Sequence, residues 1–243
     1  MKRCPLRKFQ TLAGKLQHAS FAIPGRRGLF SPIYHALKGT PPFITISPIL
    51  KAALLDWRTI IHHFARFPTP VQLLVPQPPN FLVYTDACFL GGITCPGLGD
   101  LPHVVWKFRW PPSVTSQIGK TLSINDLEMA GIVMGWLVLE SIQDDLSFKH
   151  VGLFADNTSS VSWTQKGSTT SSLPVARLLR LLALRQRARR TSSLLPIHIK
   201  GSENAMADVS SRAFKQREYF HAATNILSFF DSNFRLPQSR SWH

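Results

Sequence analysis

At 243 residues with 44% hydrophobic content, the chain can bury one large core or two modest ones, so folding requires neither disulfides nor a structural metal. Its 28 Lys and Arg against 13 Asp and Glu leave a formal charge of +15; such a field concentrates polyanions and makes nucleic acid the leading partner. Cys4, Cys88 and Cys95 form no C-x-x-C pair, which argues against a disulfide framework or a cysteine zinc site and fits a reducing intracellular compartment, cytoplasm or nucleus. The start, MKRCPLRKFQ, runs into no apolar stretch of signal-peptide length, and the most apolar run, 131–139, is too short to span a bilayer, so no membrane association is expected.

In chain order, Phe9, Leu12, Leu16, Ala19 and Ile23 recur at helical spacing before the turn Pro24-Gly25, and a second short helical pattern covers 28–37. A third helix is predicted from Ser47, an N-cap before Pro48, through Leu54, Trp57, Ile61 and Phe64 to a stop at Pro68. These make a small helical unit over 1–67. Residues 68–80 hold five prolines, which favour extended backbone and mark a linker. From Phe81 the pattern changes to strands. FLVYTDA ends a β-forming run on Asp86, 91–95 is its expected hairpin partner, and 103–108 a third strand. A long helix is predicted over 123–142, capped by Ser123, and HVGLFAD at 150–156 reads as a buried strand ending on Asp156. Helices over 157–165 and 173–190, a strand over 195–199 and a last helix from about Asn204 complete the order βββαβααβα. That order predicts an α/β fold with a mixed five-stranded sheet, three antiparallel strands followed by crossover helices. The domain is expected over 81–214, with a C-terminal extension over 215–243.

Asp86 and Asp156 end apolar strands, Glu128 lies in the first turns of a helix, and Asp208 sits early in the last one. Open α/β sheets form their sites outside strand ends, so these four carboxylates can converge despite their separation in sequence. Carboxylates gathered at close range repel, and hard divalent cations with a preference for oxygen restore the balance. Magnesium, with manganese as the alternative, is the expected occupant, as two ions suited to phosphodiester displacement.

These residues also carry a resemblance. YTDAC at 84–88, INDLEMAG at 124–131, FADNTSSV at 154–161 and KGSENAMADVSSR at 200–212 resemble, in order, the four motifs of the RNase H family. The last is similar to the RNase H domain that follows reverse transcriptase in retrotransposon and pararetrovirus polyproteins. LAGKLQHASFAIPGRRGLFSPIYHAL at 12–37 looks like the thumb or connection helices of such a reverse transcriptase. The resemblance implies hydrolysis of the RNA strand of RNA–DNA hybrids, with Asp86, Glu128, Asp156 and Asp208 as catalytic metal ligands. Cellular members carry a loop histidine before the last Asp, and His198, ten residues before Asp208, is a candidate for that auxiliary role, although its alternation within the strand over 195–199 equally explains it as a strand histidine facing solvent or a neighbouring helix. Cys88 stands where the family has a small Ser or Ala, which fits a small packed position. No paired-aspartate polymerase motif occurs in the 243 residues, so the polymerase palm and fingers are expected to be missing from this chain.

Residues 177–190, RLLRLLALRQRARR, predict an amphipathic helix that turns Leu178, Leu181, Leu182 and Leu184 inward and Arg177, Arg180, Arg187 and Arg190 toward nucleic-acid phosphates. Asn157 is a further candidate for substrate contact, although a helix cap would explain it equally. Trp106, Trp110 and Trp163 are expected to pack rather than to stack on bases. Two other readings remain open at this point: a catalytically inactive retroelement remnant that only binds nucleic acid, and a DNA nuclease or transposase on the same fold.

Overall fold

The computed structural model describes residues 2–23, 26–75, 77–88, 91–92, 108, 110–169, 171–191, 194–204 and 207. In chain order the elements are β1 (Arg3–Pro5), α1 (Leu6–Ser20), a 3-10 turn at Arg26–Leu29, α2 (Ser31–Leu37), β2 (Phe43–Thr45), α3 (Pro48–Arg66) and a 3-10 turn at Val71–Leu73. There follow β3 (Phe81–Thr85), β4 (Ala87–Cys88), β5 (Gly91–Gly92), α4 (Pro112–Thr115), α5 (Ile124–Ile142), β6 (Val151–Ala155), α6 (Thr158–Lys166), α7 (Leu173–Ala188) and β7 (Leu195–His198). They gather into two compact units. One comprises Met1–Pro78, Ser147–Lys149 and Trp163–Ser193; the other comprises Pro79–Leu146, His150–Ser162 and Leu194–His243.

The first unit is mainly helical, with β1 and β2 paired antiparallel, a pairing the sequence pattern does not announce. Helix α3 starts as its sequence predicts: the Ser47 hydroxyl accepts from Leu50 N–H at 3.2 Å, and Pro48 at the first helical position has no N–H to leave unsatisfied. The core packs Phe9, Leu16, Ile23, Leu29, Ile33, Leu50 and Trp57 together with Ala183 from α7. Burial of each large side chain stabilises the unit by about 1.5–3 kcal/mol.

Helix α7 is therefore built into the N-terminal core. Its buried stripe is Val175, Ala176, Leu179, Leu182, Ala183 and Gln186, whereas Leu181, predicted to face inward, is 39% exposed. The basic face is also partly committed. Arg180 Nε donates to Asp56 Oδ2 on α3 at 2.6 Å, and Arg187 Nη2 donates to His63 Nδ1 at 2.9 Å. Arg177 and Arg190 are exposed, the latter with its guanidinium 4.9 Å from the Phe148 ring centroid, a cation–π distance. Gly28 makes the close approach possible, because a Cβ there would lie 2.3 Å from the Leu179 carbonyl oxygen.

The second unit holds a parallel three-stranded sheet in the order β3-β6-β7, with β4 and β5 as a separate antiparallel pair. Part of the expected hairpin at 91–95 is seen in that pair, but residues 93–95 and 103–107 of the two predicted strands lie outside the described residues. Helix α5 packs against β3 and buries Leu127, Ile132, Val133, Trp136 and Leu139. Trp110 is buried against Leu127 and Trp106 lies outside the described residues, while Trp163, which belongs to the first unit, is half-buried. No described helix is long and apolar enough to cross a membrane.

Two outcomes follow from the first unit. Gly28→Ala forces the 3-10 turn off the α7 backbone and should cost about 2 kcal/mol or more, read as a lower midpoint in urea unfolding; an unchanged midpoint would show that the approach is looser than this. The second concerns acid. Desolvation, and then the charges of Arg187 and Arg190, hold the His63 imidazole below its usual pKa of 6.5. The folded state thus binds fewer protons than the unfolded chain just below pH 6.5, and the stability His63 contributes, complete above that pH, falls as pH drops through the window. His63→Gln should lose less melting temperature than the wild type on going from neutral pH to about pH 5.5; an equal or larger loss would contradict this.

Candidate metal centre

Strands β3 and β6 run parallel with Thr85 opposite Ala155. The next residue on each strand is an aspartate, so this register sends Asp86 and Asp156 off neighbouring carboxyl-terminal strand ends, one interstrand spacing of about 4.8 Å apart. The other end of the pair is pinned by Asn80, whose Oδ1 accepts from His150 N–H at 2.8 Å while its own N–H donates to the His150 carbonyl at 2.7 Å. Along the pair, Tyr84 and Phe154 stack with centroids 4.7 Å apart and planes at 13°. A slip by one residue would break both locks and turn the aspartates to different faces.

Glu128 arrives from α5, whose start is fixed by a reciprocal cap. Asp126 Oδ2 accepts from both the Ser123 N–H and its hydroxyl at 2.7 Å, and Ser123 Oγ accepts from Asp126 N–H at 3.2 Å. Two residues on, Glu128 faces the strand ends. Asp86, Glu128 and Asp156 each place a carboxylate oxygen within 4.8 Å of the others. Asp86 and Glu128 are 7% and 8% exposed. Three carboxylates so close, two of them buried, repel one another, and this all-oxygen donor set suits a hard divalent cation. The sequence prediction for these three residues thus coincides with a spatial cluster. Asp208 lies outside the described residues.

The neighbouring groups hold this arrangement in place. Asn157 caps α6, accepting from Ser160 N–H at 2.9 Å, and its Nδ2 donates to Asn125 Oδ1 at 2.8 Å. One side chain therefore joins the residue after Asp156 to the start of the helix that carries Glu128. The cap reading of Asn157 holds. His198 ends β7 opposite Ala155, and its Nε2 donates to the Asp156 carbonyl at 3.0 Å. Two residues were given no role at the site by the sequence. Asn125 and Asn204 carry no chemistry of their own, and only their neighbours in the INDLE and KGSEN motifs mark them. The Arg177, Arg180, Arg187 and Arg190 side chains belong to the other unit.

No protein-family model matches the chain, and no curated protein matches it significantly. Among solved structures, a prototype foamy virus protease–reverse transcriptase, a selenomethionine-labelled CSH mutant, aligns with TM-score 0.32 and 12% identity, covering 79% of this chain and 24% of that one. A foamy viral protease–reverse transcriptase in complex with double-stranded DNA aligns with TM-score 0.33 and 11% identity, covering 82% and 33%. The chain spans a third or less of the length of these neighbours. Similarity at that level leaves the site to stand on its own geometry.

The crowding of carboxylates predicts opposite effects from one substitution. Asp86→Asn keeps the side-chain shape and removes one of three clustered charges, so metal-free protein should gain stability on the order of 1 kcal/mol. Magnesium should raise the wild-type melting temperature by binding the folded state, and raise that of the variant much less. A variant several degrees less stable without metal, and equally responsive to magnesium, would make Asp86 a turn residue.

Proposed function

We propose that the chain is an RNase H-type endonuclease that hydrolyses the RNA strand of RNA–DNA hybrids, as part of a retroelement reverse transcriptase polyprotein whose palm and fingers are not in this chain. The observation that carries this reading is the meeting of Asp86, Glu128 and Asp156 within 4.8 Å at the carboxyl edge of a parallel sheet. Their sequence motifs supply the preference for hybrid, and Asp208 is proposed as the fourth ligand on its motif alone.

In this mechanism Asp86, Glu128 and Asp156 would hold the divalent cations, Mg²⁺ or Mn²⁺, through their carboxylate oxygens. The cations, when bound, supply the positive charge that activates water and stabilises the leaving 3′-oxygen. The protein's own contribution is alignment. Asn157 keeps Asp156 and the Glu128 helix in register and is proposed to contact the substrate backbone. His198, hydrogen-bonded to the Asp156 carbonyl and exposed, is proposed to shuttle a proton near the cleaved phosphate. Arg177, Arg180, Arg187 and Arg190 are proposed as phosphate contacts that position the duplex without reading bases. Of these, Arg177 and Arg190 are exposed, whereas Arg180 is shared with Asp56.

Purified protein given end-labelled hybrid should cut the RNA strand in magnesium and stop in chelator, and Asp86→Asn should be roughly a thousandfold slower, a loss of about 4 kcal/mol. Double-stranded DNA and single-stranded RNA serve as parallel substrates. Cutting that ignores the chelator, or folded wild-type protein that cuts nothing, would overturn the proposal; metal-dependent cutting of duplex DNA in preference to hybrid would make it a DNA nuclease.

A further inference from the structure

The turn that follows β7 touches both strand ends that carry the clustered aspartates. Ile199 N–H donates to the Ala155 carbonyl at 3.1 Å, and His198 holds the carbonyl of Asp156 itself. Gly201 passes so close to the Asp156 carboxylate that a Cβ there would lie 3.5 Å from Oδ2. At the end of the same turn Asn204 reaches the other strand. Its Nδ2 donates to the Thr85 carbonyl at 3.1 Å, and its N–H is held by the carbonyls of Lys200 and Gly201, each at 3.1 Å. The residue is 2% exposed.

The acceptor gives this bond its leverage. The Thr85 carbonyl lies in the planar peptide unit that also contains the nitrogen and Cα of Asp86, so fixing that oxygen fixes the point from which the Asp86 side chain departs. The amide can serve only one way round, because a flipped side chain would set Oδ1 against another carbonyl oxygen. Oδ1 has no partner among the described residues, which leaves the donor as the atom that determines the orientation. Burial strengthens the bond by keeping water from competing for either partner.

We propose that Asn204 is a positioning residue for the metal centre: its amide ties the end of β3 to the turn that abuts Asp156, and so sets the spacing between the Asp86 and Asp156 carboxylates. The inference rests on the metal-centre reading and adds to it a residue outside the ligand set. It accounts for the asparagine in the K-G-x-E-N motif by a specific bond to the residue before a ligand, where a general turn preference would accept Asp or Ser as well.

The test uses the full chain, with Asn204→Asp, which keeps the size and removes the donor, and Asn204→Ala, which removes the side chain. Melting curves across a magnesium series give the concentration of half-maximal stabilisation, and single-turnover cleavage separates rate from hybrid affinity. Both variants should need about ten times more magnesium than the wild type, the range seen when a ligand's supporting partner is removed. The maximal cleavage rate at a fixed low magnesium concentration should fall while the hybrid concentration for half-maximal rate stays the same. A wild type that gains no stability from magnesium would remove the metal centre, and this role with it. A responsive wild type, with variants that melt lower yet keep its magnesium midpoint, would overturn the positioning role alone. Should Asn204→Ala fail to fold, Asn204→Asp decides between these outcomes.

Discussion

The parallel pairing of β3 with β6, in the register that sets Thr85 opposite Ala155, is the constraint on which the site depends. Each strand is only five residues long, and each is followed directly by an aspartate. Their spacing is thus decided by the backbone ladder and not by flexible side chains. Asn80 locks the ladder at one end, and the turn after β7 clasps it at the other. Apolar burial of Phe81, Val83, Val151 and Leu153 gives the sheet stability to spend on holding like charges together. A protein selected for stability alone would separate those charges, since each carboxylate raises the cost of ionising the next.

Basic charge and the acidic cluster serve different ends. The excess of Lys and Arg gives a chain of +15 long-range attraction for a polyanion, with a strength that falls as salt rises. The carboxylates act only at contact distance. Part of the basic character is also structural: Arg180 is paired with Asp56, and Arg187 is hydrogen-bonded to His63, so arginines of one helix divide between holding the helical unit together and facing solvent. A substitution at Arg180 would therefore change stability as well as any phosphate contact, which makes Arg177 the cleaner probe of binding.

Local chemistry was legible in the sequence wherever one residue decides an element's end. Ser47 and Ser123 cap their helices as predicted, and both strands run into their aspartates where the apolar runs stop. The convergence of Asp86, Glu128 and Asp156 was legible too, because strand ends and helix starts are where a sheet displays side chains. What escaped were relations between distant segments. Helix α7 has leucines at 178, 179, 181, 182 and 184, spread around so much of its circumference that periodicity could not say which face is buried; the contact with the 3-10 turn at Gly28 decided it. The pairing of β1 with β2 joins segments of three residues each, too short to show alternation. Asn204 was hidden for another reason, since its role lies in a bond to a main-chain carbonyl 119 residues away.

On this reading the two strand ends and α5 build a cation site from Asp86, Glu128 and Asp156. Crystals grown with manganese would test it most directly through the anomalous signal of the metal. Strong anomalous density is expected between the three carboxylates, ligated by oxygen from each and absent in crystals of Asp86→Asn. Well-ordered carboxylates with no density between them at saturating manganese, or side chains turned away from one another, would contradict it.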